Sequence, residues 1–272
     1  ALAKLAENPF YLNLLVSAFH EDARLLENRG RLLRQFAQRL WTREERRARP
    51  DWIASSVQAL ALSGLAYAMQ AQGVNLTLKN KDAKALTPTS VDIDDEPVAV
   101  KASALFKLAS AELFLDPALE TDVRFYHQLL QEYFAAEELL RRFEAGEDES
   151  AHWRVTLRAD EMPAAKGDEW DPLPEPPGSG WEETTILACG LAEEPVRLLE
   201  AVRAHNPNLA ARCWLEAGVV WGPDHEATLK PLLQQDLFAD LYDPTLHLRT
   251  RLQAGHTLGR LGDPRFTAET IN

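Results

Sequence analysis

The sequence predicts a mostly α-helical protein, in which a helical bundle with a winged-helix-like unit is followed by an α-solenoid of helical pairs. Three observations carry this prediction. Apolar residues recur at the helical period through much of residues 1–143. A short strand at 123–126 runs directly into an apolar helix that reaches Leu140. Two segments beyond residue 200 repeat at a constant offset of 37 residues.

Composition indicates a soluble globular chain. Its 272 residues are 46% hydrophobic, which suffices for two domains. The sequence contains neither a run of eighteen apolar residues nor a charged start followed by an apolar segment, so a cytoplasmic location is expected. Cys189 and Cys213 each lie in an apolar helical pattern and are expected to be buried thiols in a reducing compartment. Both ends of the chain are abrupt, as in the interior of a longer protein.

The charge distribution restricts the classes of partner. A net charge of −13 argues against nucleic acid and anionic membranes, because phosphate binding requires a basic face. Residues 1–51 are slightly basic, with ten Lys or Arg against seven acids. Glu44 and Glu45 interrupt this run, which favours a solvated helix face. Residues 144–200 carry fifteen acids against four basic residues.

Residues 1–51 are predicted to form a helical domain. The Asn8-Pro9 pair should end one helix near Glu7 and start the next at Pro9, because proline disfavours the helical conformation in the residue before it. A third helix is predicted from Arg29 to Arg47, and Pro50 should stop it.

Residues 52–143 are predicted to form the winged-helix-like domain. A nearly uncharged helix over 52–72 should occupy its core, closed by Gly73. A strand is possible at 74–79, and 88–98 reads as a polar connector whose acidic cluster lacks the glycine and terminal glutamate of a calcium loop. A helix is predicted from Val98 to Ala111, followed by strand, turn and strand over 112–126.

Residues 144–180 are predicted to be an acidic connector rich in proline and glycine, of unassigned role. Its LPEPP segment should be extended and stiff. Ser179, followed three residues later by Glu182, matches a capping box that starts the next helix.

Residues 181–272 are predicted to form helical-pair repeats, with Ala227–Leu241 as the intervening helix. NPNLAARCWLEAG at 206–218 aligns with DPTLHLRTRLQAG at 243–255. The repeat framework residues are the matched pairs Arg212 with Arg249 and Gly218 with Gly255. Two units are few for a stable solenoid, so we expect the array to continue or to pack on the preceding domain.

No catalytic or metal-binding motif is present, which predicts that this chain is not an enzyme by itself. It lacks GxxxxGK[ST], HExxH, CxxC and GxSxG, and its seven histidines are scattered along the chain. His127 stands out because it lies where a strand meets a helix. Two roles are open to it: anchoring the turn through a backbone hydrogen bond, or binding an anion at the helix N-terminus.

Three stretches resemble one family, the NACHT-type signal-transduction ATPases of the STAND class. LAENPFYLNLL with ENRGRLLRQFAQRLW resembles the helical domain that follows their nucleotide-binding core. LAYAMQAQG and VRFYHQLLQEYFAAEELL resemble their winged-helix domain, with its Phe-x-His and Gln-Glu-Tyr/Phe-x-Ala-Ala pattern. RTRLQAGHTLGRLGDPRF is similar to the HEAT-like repeats that often follow such modules in bacteria.

The resemblance implies functional roles for particular residues. Pro9 would pack near the adenine ring, and His127 would contact the β-phosphate of ADP and hold the closed, inactive form. Phe125 and Gln131 belong to the winged-helix signature. Glu132, Tyr133 and Phe134 would match the rest of it as packing and helix-face residues. ADP or ATP with Mg²⁺ would be held mainly by a domain upstream of Ala1, whose phosphate-binding loop this chain lacks.

Three functions follow from these observations. The first is a regulatory, sensing and oligomerisation arm of a bacterial NACHT ATPase in signalling or defence. Its partners would be the upstream nucleotide-binding domain, further copies on activation, and a protein or downstream domain on the repeats. The second is a helical-repeat scaffold with no nucleotide role. The third, a DNA-binding winged helix, is disfavoured by the negative charge.

Overall fold

A computed structural model describes residues 12, 16, 28–47, 50–73, 77–112, 114–116, 121–155, 158–160 and 178–266. This part of the chain is mostly helical, as predicted, with ten α-helices and four short strands. Pro9 and most of the helices predicted before residue 20 lie outside the described residues. The chain divides into two compact units, the first formed by 1–147 with 183–192 and the second by 148–182 with 193–272.

Most described helices of the first unit lie close to their predicted positions, and the helix Asn80–Leu86 was not predicted. They are α1 (Arg29–Glu45), α2 (Ser55–Ala71), α3 (Asn80–Leu86), α4 (Ala102–Ala111), α5 (Gln128–Glu144) and α6 (Glu182–Leu191). Of α6, the residues from Glu183 onward belong to the first unit. The chain leaves α2 through Gly73, which has a positive φ of 67°. This is the conformation that favours glycine after a helix, as the sequence predicted.

Helices α2 and α5 form the centre of the first unit. The nearly uncharged sequence of α2 lets it bury residues on most of its sides, and Leu62, Leu65 and Met69 are fully inaccessible to solvent. Leu130 and Leu139 of α5 are equally buried. Each such side chain contributes about 1.5–3 kcal/mol through its removal from water.

An aromatic cluster joins α1 and α5 to the strand region. Phe114 packs at 5.2 Å from Trp41 and edge-on at 5.3 Å from Phe134, measured between ring centroids. Phe125 lies 5.9 Å from the Phe134 ring. The cluster therefore fixes the start of α5 against the preceding strand.

The strand pairing differs from the prediction. β1 (Thr77–Lys79) pairs antiparallel with β4 (Asp122–Arg124), and Leu78 lies opposite Val123. Within the predicted strand, turn and strand of 112–126, the described residues form an antiparallel bridge between Leu115 and Phe125. It is flanked by backbone hydrogen bonds from Asp116 N–H to the Arg124 carbonyl and from Tyr126 N–H to the Phe114 carbonyl. The first of those strands is so short because Glu112 still caps the end of α4. β4 consequently finds its main partner in the earlier segment.

The predicted polar connector at 88–98 is wrong, because a β-hairpin occupies this region. β2 (Ser90–Ile93) pairs with β3 (Glu96–Ala99). The turn residues Asp94 and Asp95 both have positive φ angles, 51° and 65°. Two consecutive residues with positive φ form a two-residue hairpin turn whose twist matches that of the flanking strands. Aspartate tolerates a positive φ better than most residues. The helix predicted from Val98 therefore begins only at Ala102.

Helix α6 is attached to α1 and α2 by polar contacts and close packing. The Asn28 side chain caps α1 by accepting from the Arg31 backbone N–H at 3.0 Å, and it donates to the Gly190 carbonyl at 2.8 Å. Gln70 of α2 donates to the Thr184 hydroxyl at 2.8 Å. These contacts place α6 within the first unit, although the sequence assigned it to the repeats.

The second unit contains a 3₁₀ turn (Ser150–His152) and four described helices: α7 (Pro195–Arg203), α8 (Pro207–Glu216), α9 (Pro223–Tyr242) and α10 (Leu248–Leu261). Proline stands at the first position of α7, α8 and α9, where its missing N–H costs nothing. α7 packs on α8, α9 packs on α10, and α8 also contacts both later helices. Cys213 in this unit and Cys189 in the first are both buried, as predicted.

Part of the predicted connector 144–180 is folded. Its described portion includes Trp153, only 2% exposed, whose carbonyl accepts a hydrogen bond from Asn206 at 3.1 Å. His152 stacks on Trp181 with ring centroids 3.9 Å apart. These aromatic residues anchor the segment despite its acidic composition, and residues 161–177 lie outside the described part.

Half of the predicted capping box at Ser179 forms. The Glu182 carboxylate accepts from the Ser179 backbone N–H at 2.7 Å, as the motif requires. The Ser179 hydroxyl instead accepts from the Trp181 N–H at 3.1 Å. Glu182 is the first residue of its helix, so the serine lies too far upstream to cap the third position.

The 37-residue repeat aligns α8 with α10, but matched residues occupy different structural positions. Gly218 follows the end of α8 with a φ of 70°, whereas Gly255 lies inside α10. The second helix begins at Leu248, because Asp243 and Thr245 form a turn where the first copy is already helical. The sequence alignment therefore does not preserve the role predicted for the glycine pair.

Candidate functional site around His127

His127 lies at the junction of β4 and α5, as predicted, and it is the N-cap of α5. Its backbone is extended, with φ −145° and ψ 144°. The Nδ1 atom accepts a hydrogen bond from the Leu129 backbone N–H at 3.1 Å. One of the N–H groups that a helix start leaves unpaired is thereby satisfied. This contact is the structural role that the sequence left open.

The same contact determines the protonation of the imidazole. Nδ1 can accept only when it carries no proton, so the proton of the neutral ring resides on Nε2. Burial lowers the pKa of His127 below its ordinary value. The lowered pKa favours the neutral ring, in which Nε2 and not Nδ1 carries the proton.

Glu132 lies one helical turn beyond this junction in a cluster of polar side chains. Gln128 donates to its carboxylate at 2.8 Å. Burial raises the pKa of Glu132 to about 7, with a smaller contribution from Glu183 and an opposing one from Arg29. Arg29 itself forms an ion pair with Glu183 at 2.8 Å. Folding therefore favours the protonated form of the Glu132 carboxyl group.

The remaining signature residues serve mainly in packing. Phe125, Tyr133 and Phe134 are buried within the aromatic cluster of the first unit, and Gln131 is only 3% exposed. Burial and the neighbouring Glu137 raise the pKa of the Tyr133 hydroxyl well above its ordinary value. The resemblance implied packing or helix-face roles for Tyr133 and Phe134, and both side chains are buried.

An open cleft of about 320 Å³ lies between α1, α2 and α5, and sequence reasoning missed it. Trp41, Leu60 and Phe134 contribute to its apolar surface. On its rim, Arg34 makes two hydrogen bonds to Glu137, at 2.8 and 2.7 Å. These two residues are 103 positions apart, so no local pattern could have indicated their pairing.

Of the other predicted residues, Pro9 lies outside the described part, and the repeat arginines lie in the second unit. Arg212 bonds Glu216 one turn later on α8 at 3.2 Å. Arg249 is the second residue of α10 and donates its backbone N–H to the N-cap His247 at 3.2 Å. Neither arginine is brought into the first unit that contains His127.

No group of three or more His, Cys, Asp or Glu side chains suited to a metal ion occurs among the described residues. No described helix is both long and apolar enough to cross a membrane. Comparison of the chain with protein-family models, with curated proteins and with solved structures found no match.

Proposed function

We propose that this chain is the regulatory arm of a bacterial NACHT-type ATPase, which stabilises the ADP-bound closed state and couples nucleotide exchange to assembly. The observation that carries the proposal is the position of His127, between strand β4 and helix α5, with its proton on Nε2. Nε2 is the atom that would donate to a phosphate oxygen of ADP. The neighbouring helix N-terminus would add a favourable dipole.

The connection order of the first unit supports the winged-helix interpretation. Helix α2 is followed by β1, α3, the hairpin, α4, the Leu115 segment and β4. β4 lies between β1 and Leu115, and all neighbours are antiparallel. A winged helix with a hairpin inserted before its third helix has this arrangement. The pairing of α7 with α8 and of α9 with α10 supports HEAT-like pairs in the second unit.

In this proposal the protein acts in the cytoplasm, and ADP or ATP with Mg²⁺ is held mainly by an upstream domain of the same polypeptide. Pro9 would lie near the adenine ring. Exchange of ADP for ATP would remove the contact to His127, shift the population towards the open form and permit oligomerisation. The chain itself would contribute binding contacts and no catalysis.

DNA binding receives no support from the same unit. Helix α4 is the one that would enter a DNA groove, and it carries a single basic residue, Lys107. Lys107 forms an ion pair with Asp51 at 2.7 Å. The alternative is a helical-repeat scaffold with no nucleotide role. In that case His127 would serve only as the N-cap of α5.

The test uses the full-length protein, and it separates capping from nucleotide contact. His127→Asn should retain a good N-cap while removing the imidazole donor. We expect this variant to lose ADP during purification and to assemble more readily. His247→Asn is the matched control, because His247 caps α10 through the same contact to the residue two positions on. Unchanged ADP content and oligomer size in His127→Asn would overturn the nucleotide role.

A further inference from the structure

The cleft between α1, α2 and α5 is built from one stripe of residues on each helix. Arg34 and Trp41 lie seven residues apart on α1, which places them on one face. Ala59 and Ser63, four residues apart, contribute the α2 wall. Both are small, so they leave an open space of about 320 Å³, which Phe134 of α5 also borders. This volume lies at the lower end of the range for small-molecule pockets.

The charged side chains on the rim of the cleft are mainly paired with one another. Arg34 binds both carboxylate oxygens of Glu137, at 2.8 and 2.7 Å. Arg141 binds both oxygens of Glu138, at 2.9 and 2.6 Å. The carboxylate of Glu144, also on the rim, is exposed to solvent, which weakens its attraction for a cation. These residues present no uncompensated buried charge to a ligand, which favours an uncharged molecule.

The indole of Trp41, which lines the cleft, is a buried donor without an acceptor. Trp41 is 6% exposed, and its Nε1 atom has no hydrogen-bond partner among the described residues. Most buried polar groups are paired, because an unpaired one is unfavourable. An indole N–H can only donate, so the group that would satisfy it is an acceptor such as a carbonyl oxygen. Since Nε1 is closed to water, a ligand would reach it as the ring tilts towards the cleft.

We propose that this cleft binds an uncharged, largely apolar small molecule that carries a carbonyl oxygen. The apolar part would pack on Leu60 and Phe134, and the carbonyl oxygen would accept a hydrogen bond from Trp41 Nε1. This inference does not depend on the nucleotide role of His127, and it applies equally to a scaffold. The two proposals can therefore fail separately.

The test uses the whole chain with ¹⁵N in its tryptophan side chains, so that each indole N–H gives its own NMR signal. The Trp41 signal is the one that disappears in Trp41→Phe. The probe is acetylnaphthalene, an uncharged aromatic ketone. Isopropenylnaphthalene, in which a CH₂ group replaces the carbonyl oxygen, is the matched compound without a strong acceptor. We expect acetylnaphthalene to shift the Trp41 signal saturably.

Equilibrium dialysis gives the affinities of both compounds for the chain and its variants. The ketone should bind about three- to tenfold more tightly than the hydrocarbon, as one net hydrogen bond allows. Trp41→Phe keeps an aromatic ring and removes the N–H, so it should lose this preference. Trp221→Phe is the matched control, because Trp221 Nε1 already donates to the Trp214 carbonyl at 3.0 Å. That variant should bind as the unchanged chain does.

Ala59→Phe places a ring in the cleft and should abolish binding of both compounds. Ala59 is only half-buried, so circular dichroism should show unaltered folding of this variant. The proposal is overturned if the unchanged chain shows no saturable binding, if it binds the ketone and the hydrocarbon equally, or if Ala59→Phe binds as well as the unchanged chain. These three comparisons decide the matter even if Trp41→Phe fails to fold.

Discussion

The Nδ1 atom of His127 lies 3.1 Å from the backbone nitrogen of Leu129. This contact fixes both the first turn of α5 and the tautomer of the ring. Because the proton then resides on Nε2, the capping role and the proposed phosphate contact use different nitrogens. The two roles are therefore compatible, and they can be separated by substitution.

His127→Ala should lower the free energy of unfolding by about 1 kcal/mol through loss of the N-cap. His127→Asn should retain most of the stability, because asparagine is a preferred N-cap residue. Urea denaturation measures both. Equal losses in the two variants would show that the cap contributes nothing and that packing of the ring matters instead.

The contribution of His127 should also depend on pH. Its pKa is lower in the folded state, so its stabilising effect is present above the unfolded pKa of about 6.5. It is lost as the pH falls through the folded pKa and Nδ1 becomes protonated. The stability difference between the native chain and His127→Ala should therefore shrink on acidification, as measured by urea titrations at several pH values.

Glu132 should destabilise the fold as the pH rises from about 4.5 to about 7. Its pKa is raised from 4.5 to about 7, so folding favours the protonated form, and ionisation of the carboxylate costs stability. Glu132→Gln should remove this dependence and stabilise the protein at pH 8 by on the order of 1–2 kcal/mol, because solvent screens the partly exposed group. Glu45→Gln, at an exposed position of α1, is the control and should leave the pH profile unchanged.

Asn206 should be sensitive even to substitution by aspartate. It caps α8 by accepting from the Leu209 N–H at 3.0 Å, and it also donates to the Trp153 carbonyl. Asn206→Ala removes both contacts and should cost about 2–3 kcal/mol. Asn206→Asp keeps the cap but loses the donor, so a smaller cost of about 1–2 kcal/mol is expected. If the aspartate variant unfolds at the same urea concentration as the native chain, the bond to Trp153 adds no stability.

Two helical glycines should respond to alanine with opposite signs. A Cβ at Gly30 would lie 2.8 Å from both the Leu187 carbonyl oxygen and Leu191 Cγ, so Gly30→Ala should destabilise by about 1–3 kcal/mol. A Cβ at Gly259 meets nothing within 4 Å, and Gly259→Ala should stabilise by about 0.5–1 kcal/mol. Thermal unfolding of both variants tests the pair, and a stabilised Gly30→Ala would mean that α6 can move away from α1.

The helices were the most predictable part of the fold, because their signals are local. Apolar spacing and the stops at Pro50 and Gly73 located α1 and α2 to within three residues. The position of His127 between strand and helix could also be read from the sequence. Its capping bond was one of two roles that the sequence allowed, and the structure identifies Nδ1 as the atom that accepts.

Features that depend on distant residues could not be predicted. The turn at Asp94 and Asp95 lacks the usual glycine, so the hairpin read as a polar connector. β4 pairs with a strand more than forty residues earlier, and the partner of Arg34 lies 103 residues away. Burial of Trp153 was hidden by the acidic residues that surround it in sequence. In each case packing with a remote segment outweighed the local signal.

The placement of α6 has a consequence for dissecting this protein. Its residues from Glu183 onward belong to the first unit, while the chain on both sides belongs to the second. No single truncation point can therefore yield either unit whole. A fragment ending at Glu147 would deprive Asn28 and Gln70 of their partners Gly190 and Thr184. A stable minimal version of the first unit needs α6 rejoined to α5 by a designed linker.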